Sequence, residues 1–340
     1  MAYPHGDAGG GHLSRAFGVV SGRVAVRDGD EVVLPEADDG ELRAALAAPY
    51  LNDLIELGRD AWGAALACDG ERLPIAECAP SLPVLVRDYV DFYASEEHAA
   101  NFGRIFRPGA PALPENWHEI PLGYHGRASS IVATGTQVRR PHGVVGPDEF
   151  APTRMLDFEC ELGFVCGPQA DIFGVVLVND WSARDIQRFE YVPLGPFLGK
   201  SFATSMSAWV VPLEELDGAR VEPRWQEPPP AEHLRGCDRW ALDIDLEIEL
   251  NGAVVSRPNA HWLYWTPPQM LAHMTSNGAR VSAGDLFATG TISGEEPGTE
   301  GSLAEIGRGA RWLADGDEVV LRGRAGDVEL GEVSGRIAPA

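Results

Sequence analysis

The sequence predicts an α+β fold weighted towards β, and three patterns carry that expectation. Short runs alternate with period two, as in DFECELGF (157–164) and DIDLEIEL (243–250). Turn dipeptides, Ser21-Gly22 and Asn251-Gly252, separate such runs in the manner of hairpins. Helical periodicity is confined to a few stretches, chiefly ELRAALAAPYLNDLIELGRDAWGAAL (41–66), the segment after Ser95, the segment after Asp180, and part of WTPPQMLAHM.

The chain opens with a Gly- and His-rich stretch, residues 1–16, in which His5 and His12 read as solvated rather than as ligands. It has no apolar run of the kind a signal peptide needs. Next come short strands around the Ser21-Gly22 turn and a DGD turn, then the helical stretch 41–66, then a Pro-punctuated connection. No convergent polar cluster lies in this part. It reads as a small N-terminal domain, residues 1–82, with a structural or interface role, before a larger unit, residues 83–340.

Composition narrows the function. Apolar residues make up 44% of the 340, enough for a sizeable core. The net charge is −24, from 51 acids against 27 bases. No basic stripe is available to neutralise phosphates, which excludes nucleic acid as a partner and disfavours an anionic membrane surface. No apolar run is long enough to span a bilayer. The five cysteines, odd in number and without zinc spacing, read as reduced thiols of a cytoplasmic protein.

Asn179–Thr204 is the stretch around which the rest is arranged. The apolar run Phe173–Val178 reads as a buried strand, with Asn179-Asp180 capping a helix that runs to about Glu190, before Pro193 and Gly195. On that helix Asp180, Arg184, Gln187 and Tyr191 share one face, at offsets 0, 4, 7 and 11. Trp181, Ile186, Phe189, Phe197 and Phe202 surround them, so the polar stripe reads as a pocket wall rather than a solvated face. Lys200 follows in a Gly/Pro-rich loop.

Three further segments carry chemistry. Ser95 caps a helix whose first turn holds His98, where the positive end of the helix dipole favours the neutral imidazole of a general base; alone, His98 fits a structural histidine equally. The loop GYHGRASS sets Tyr124, His125 and Arg127 between glycines, a site edge or an ordinary turn. The strand DFECELGF puts Asp157, Glu159 and Glu161 on one face. Like charges side by side on a strand destabilise it. If Asp91, Glu159, Glu161 and Asp180 converge, their charge requires a cation, and all-carboxylate ligation suits Mg²⁺ or Ca²⁺, with Mn²⁺ also compatible, rather than zinc. Lys200 and Arg184 would offset the remainder.

DYVDFYASEEHA (88–99), IPLGYHGRASSIV (120–132), LDFECELGF (156–164), NDWSARDIQRFEYVPLGPFLGKSF (179–202) and GDLFATGTISG (284–294), in this order, resemble the fumarylacetoacetase family. The resemblance runs from about residue 84 to the C-terminus. It implies a mixed β-sandwich roll catalytic domain behind a small SH3-like N-terminal β domain, assembled as a homodimer. It implies a divalent metal, Mg²⁺ or Ca²⁺, on Asp91, Glu159, Glu161 and Asp180, with Lys200 and Thr204 close to a neighbouring ion or the substrate. It makes His98 a water-activating base oriented by Glu305, and Arg184, Gln187 and Lys200 donors to oxyanion charge. Tyr93, Arg107, Tyr124, Gln187, Tyr191 and Thr291 match substrate-binding positions. The implied reaction is hydrolysis of a carbon–carbon bond in a β-diketone acid, fumarylacetoacetate to fumarate and acetoacetate, the last step of tyrosine and phenylalanine catabolism. The rival readings are an acylpyruvate-type hydrolase, a 2-oxo acid isomerase or decarboxylase, and an inactive metal-binding scaffold.

Overall fold

The computed structural model describes residues 15–340; His5 and His12 lie outside them. Strands Arg15–Val20, Arg23–Asp28, Glu31–Pro35 and Gly70–Pro74 form a four-stranded antiparallel meander. Its first turn has φ +53° at Ser21 and +75° at Gly22, the two left-handed residues that a tight hairpin needs. The single helical stretch expected over 41–66 is three helices, Gly40–Leu46, Asn52–Glu56 and Arg59–Ala67. Pro49 and the left-handed Gly58, at φ +85°, fall at the two breaks.

The central sheet is eight-stranded and mixed. Across it run Gly123–His125, Tyr89–Phe92, Leu286–Ala288, Cys160–Cys166, Ile172–Asp180, Thr204–Met206 and Ile131–Ala133, with Val211–Pro212 added at the far end of Ile172–Asp180. The Leu286–Ala288/Tyr89–Phe92 and Thr204–Met206/Ile131–Ala133 pairs are parallel, which places strands distant in sequence side by side. A five-stranded sheet, Ala253–Ser256, Asp245–Leu250, Glu318–Ala325, Val328–Ala338 and Val138–Arg139, packs over it. Leu177 and Trp181 lie against Gly323 and Gly335 of that second sheet, where a Cβ would collide with them. Both central strands, Cys160–Cys166 and Ile172–Asp180, are buried along their whole length, which accounts for the unbroken apolar run before Asn179.

The N-terminal meander shares a core with the central sheet. Phe17 and Trp62 pack on Phe173, with centroids 5.5 and 4.8 Å apart. Phe17 and Val210 exchange backbone hydrogen bonds of 2.8 and 2.7 Å. All five cysteines are free thiols. No helix of the described residues is long and apolar enough to cross a membrane.

Candidate active site

Three strands deliver the four acids. Asp91 is the third residue of Tyr89–Phe92, Asp180 ends Ile172–Asp180, Glu159 immediately precedes Cys160–Cys166 and Glu161 is its second residue. All four are buried, and one oxygen from each lies within 4.8 Å of the others. Asp180 is therefore the last residue of a strand and not a helix cap, correcting the expectation from spacing. The helix starts at Arg184, and Ala183 caps it without a side-chain bond. Asn179 is spent elsewhere, its Oδ1 accepting from the Glu159 N–H at 3.1 Å.

The protein's own cations serve only part of this cluster. Lys200 Nζ donates to Glu159 and, at 2.6 Å, to Asp180. Arg184 donates through Nη2 to Glu159 at 2.7 Å and through Nε to Asp157 at 2.8 Å. Thr204 Oγ1 and Tyr124 Oη donate to the two oxygens of Asp180 at 2.7 and 2.9 Å. Burial opposes the charge on Glu159, yet Arg184 and Lys200 hold its carboxyl well below the usual range. Burial and the neighbouring Asp180 push Asp91 up to about 8, and burial and Asp91 push Glu161 well above its ordinary value. Both oxygens of Glu161 and Oδ1 of Asp91 are buried with no partner. Orphaned carboxylate oxygens facing a shared space are the donor set of a hard divalent cation, so the residues fit one. Lys200, a buried ammonium whose charge Asp180 and Glu159 favour against the cost of burial, has no lone pair to ligate with; it acts as a counter-charge. Thr204 touches the cluster through Asp180.

Beside the acids stands a dyad. Ser95 caps the helix Glu96–Phe106, accepting from the His98 N–H at 3.2 Å. His98 Nδ1 lies 2.7 Å from Glu305 Oε2, and Nε2 lies 3.8 Å from Glu159. Glu305 also accepts from Ser302 at 2.8 Å, Asn101 at 3.0 Å and Ser293 at 3.1 Å. Burial works against its charge, and His98 with these donors keeps its carboxyl below the usual range.

Asp91 and Glu159 of the cluster and His98 of the dyad line one cavity of about 400 Å³, with Glu161, Asp180 and Glu305 behind them. Tyr93, Arg107, Tyr124, Arg184, Gln187, Tyr191, Lys200 and Thr291 line it as well. Sequence reasoning set Asp157 on the face of Glu159 without its role as the anchor of Arg184, and missed Asn101, Ser293 and Ser302, the supports of Glu305. Ser302-x-x-Glu305 is a capping signature and was readable; the other contacts cross up to 204 positions and leave no local trace. Phe102, whose ring lies 4.4 Å under Arg184, and Arg188, on the same helix face as Arg184, were also not singled out.

A pocket that sets a His–Glu dyad against a buried acid cluster, inside a curled mixed sheet, is an enzyme's. The model of the fumarylacetoacetate (FAA) hydrolase C-terminal domain matches residues 88–338, and the chain belongs to that family. It is similar to the fumarylacetoacetase of Homo sapiens, 40% identical over 351 residues, covering 86% of this chain and 84% of that one. The fumarylacetoacetase of Arabidopsis thaliana is 38% identical over 369 residues, covering 92% and 86%. Two solved structures share the fold. A fumarylacetoacetate hydrolase from Exiguobacterium antarcticum superposes with TM-score 0.63 at 18% identity, covering 96% of this chain and all of that one. The 5-carboxymethyl-2-hydroxymuconate delta-isomerase from Mycobacterium smegmatis gives 0.58 at 19%, covering 96% and 99%.

Proposed function

We propose that the protein hydrolyses a carbon–carbon bond in a β-diketone acid, converting fumarylacetoacetate and water to fumarate and acetoacetate. The observation that carries this reading is the His98–Glu305 dyad, 2.7 Å across, whose His98 lines the same cavity as Asp91 and Glu159 of the acid cluster. Glu305, ionised, accepts from Nδ1–H, which leaves Nε2 with the lone pair of a general base. His98 takes a proton from water, and the hydroxide adds to the ketone carbonyl of the fumaryl group. The bond to the acetoacetate carbon breaks, its electron pair leaves on that unit, and the His98 proton quenches it. Asp91, Glu159, Glu161 and Asp180 would hold a divalent ion, which we take to be Mg²⁺ or Ca²⁺ and which would supply Lewis-acid polarisation of the diketone.

Gln187 gives its oxygen to Arg184 Nη1 at 3.1 Å, so its NH₂ is directed away from that bond and free to meet the oxyanion with Lys200 and Arg184. One such donor can be worth ~3 kcal/mol. Tyr93, Arg107, Tyr124, Tyr191 and Thr291, whose buried Oγ1 has no partner, hold the substrate. Loss of diketone absorbance on mixing metal-loaded protein with fumarylacetoacetate tests the reaction; no loss with either ion would refute it.

Finer readings follow from the same family. We read residues 1–82 as an SH3-like unit on a catalytic unit of residues 83–340, a division the N-terminal meander supports. We place the protein in the cytoplasm, in tyrosine and phenylalanine breakdown. We also read it as a homodimer. The exposed apolar run Phe189, Val192, Leu194, Phe197 and Leu198 beside the pocket supports that assembly. Light scattering giving a monomer of about 37 kDa at micromolar concentration would contradict it.

A further inference from the structure

Arg188 has no part in the reaction just described. It follows Arg184 by one helical turn, is exposed, and lines the cavity. No described residue offers it a hydrogen bond, an ion pair or a ring contact. Arg107, at the C-cap of the helix Glu96–Phe106, is its counterpart: its guanidinium makes one hydrogen bond, from Nη2 to the Ala112 carbonyl, 3.2 Å away, and no carboxylate of the described residues pairs with it.

The charge around them gives these two guanidiniums their meaning. The cavity and its supports bring together Asp91, Glu159, Glu161, Asp180 and Glu305, all buried, against the buried cations Arg184 and Lys200. Both of those cations are already committed to carboxylates. A divalent ion would leave this floor still net negative if all five acids were ionised. The whole chain carries −24. An acidic substrate is therefore repelled by the protein and meets uncommitted positive charge at Arg107 and Arg188.

We propose that Arg188 is a specificity-determining residue that pairs with one terminal carboxylate of a diketo acid carrying two, while Arg107 meets the other. The pocket then selects two-ended acids over diketo acids with a single carboxylate. This rests on the hydrolase reading above, and the test separates the two.

Steady-state kinetics of the full-length, metal-loaded protein decides it, with fumarylacetoacetate as the diacid and 2,4-dioxopentanoate as the monoacid. Arg188→Gln should raise KM for the diacid on the order of 10-fold, as loss of one charge-assisted pair does, with kcat within about two-fold. KM for the monoacid should not move, and Arg188→Lys should recover part of the loss. Arg280→Gln removes one positive charge from an exposed site that does not line the cavity, and serves as the control for net charge. Equal KM values for Arg188→Gln and Arg280→Gln would overturn the proposal while leaving the hydrolase reading intact. If the wild type cleaves neither diketone, the hydrolase reading fails and calorimetry with fumarate and crotonate decides Arg188. Weaker fumarate binding in Arg188→Gln, with crotonate unchanged, would uphold its role; unchanged or absent fumarate binding would end it.

Discussion

Glu305 and Glu161 are the same side chain buried to nearly the same depth, 5% and 0% exposed, and the fold treats them oppositely. Around Glu305 the chain assembles Ser293, Ser302, Asn101 and His98, so its charge is satisfied and its carboxyl is held low. Around Glu161 it assembles other acids, and both oxygens are left without a partner. The same contrast divides the acid cluster, where Glu159 has Arg184 and Lys200 while Asp91 has an orphaned oxygen. A buried carboxylate whose lone pairs the protein satisfies is a positioning element. One left unsatisfied at that cost is shaped for something the chain does not supply.

The sharpest way to break the comparison is at the dyad. His98→Ala should lower kcat at least ~100-fold, the low end for loss of general-base catalysis. Glu305→Gln should lower it less, because it orients the imidazole, and the double variant should not show the product of the two losses. An additive double would mean that Glu305 and His98 do not work as a pair.

The acid cluster comes next. Asp180→Asn and Glu161→Gln should each lose divalent-ion affinity by ~10-fold or more, at least what outer-shell groups contribute to metal sites. Calorimetry with Mg²⁺ and Ca²⁺ reads this directly, and unchanged binding in both variants would displace the site.

Stability sharpens the contrast through its sign. In metal-free protein at pH 8, Glu161→Gln should melt no lower than wild type, since it removes a buried carboxyl that has no partner and whose ionisation burial and Asp91 oppose. Glu305→Gln should lose about 1–3 kcal/mol, because it disrupts a satisfied network. Thermal melts showing equal losses would erase the distinction.

The smallest effect is the dependence on pH. Asp91 titrates near 8 in the folded protein, above its ordinary 3.8. Its raised value means that metal-free protein loses stability as pH climbs from the ordinary carboxylate range towards 8. Glu305 has the opposite sign: its contribution is full above the ordinary range and fades as pH falls through its lowered value. Divalent ion should remove the alkaline loss, so the melting-temperature difference between Mg²⁺-loaded and EDTA-treated protein should widen from pH 5 to 8. A difference constant over that window would show that Asp91 does not face the ion.

Much of this was legible in the chain because its causes are local. Alternation marked the strand carrying Glu159 and Glu161, Ser21-Gly22 and Asn251-Gly252 marked hairpins, and Ser95 marked the helix that carries His98. Neighbours within a few positions decide each of these through a turn, a cap or a pleat. Locality also explains the errors. The helical pattern of 41–66 continues across Pro49 and Gly58, where the chain breaks into separate helices. Asp180 suits a helix cap, but pairing with Thr204 keeps it in the sheet.

The sequence by itself determined which side chains are available: four acids beside apolar strands, a capped histidine, and a helix face bearing Arg184 and Gln187. The tertiary structure alone decided which of them meet. Parallel pairing of Leu286–Ala288 with Tyr89–Phe92 carries the loop after Ala288 to the His98 helix, and Glu305 reaches His98 across 207 positions. The order of the central strands sets Asp91, Glu159, Glu161 and Asp180 around one space while Lys200 and Arg184 reach, of these four, only Glu159 and Asp180. That division arises from strand order and side-chain reach, which no stretch of neighbouring residues encodes.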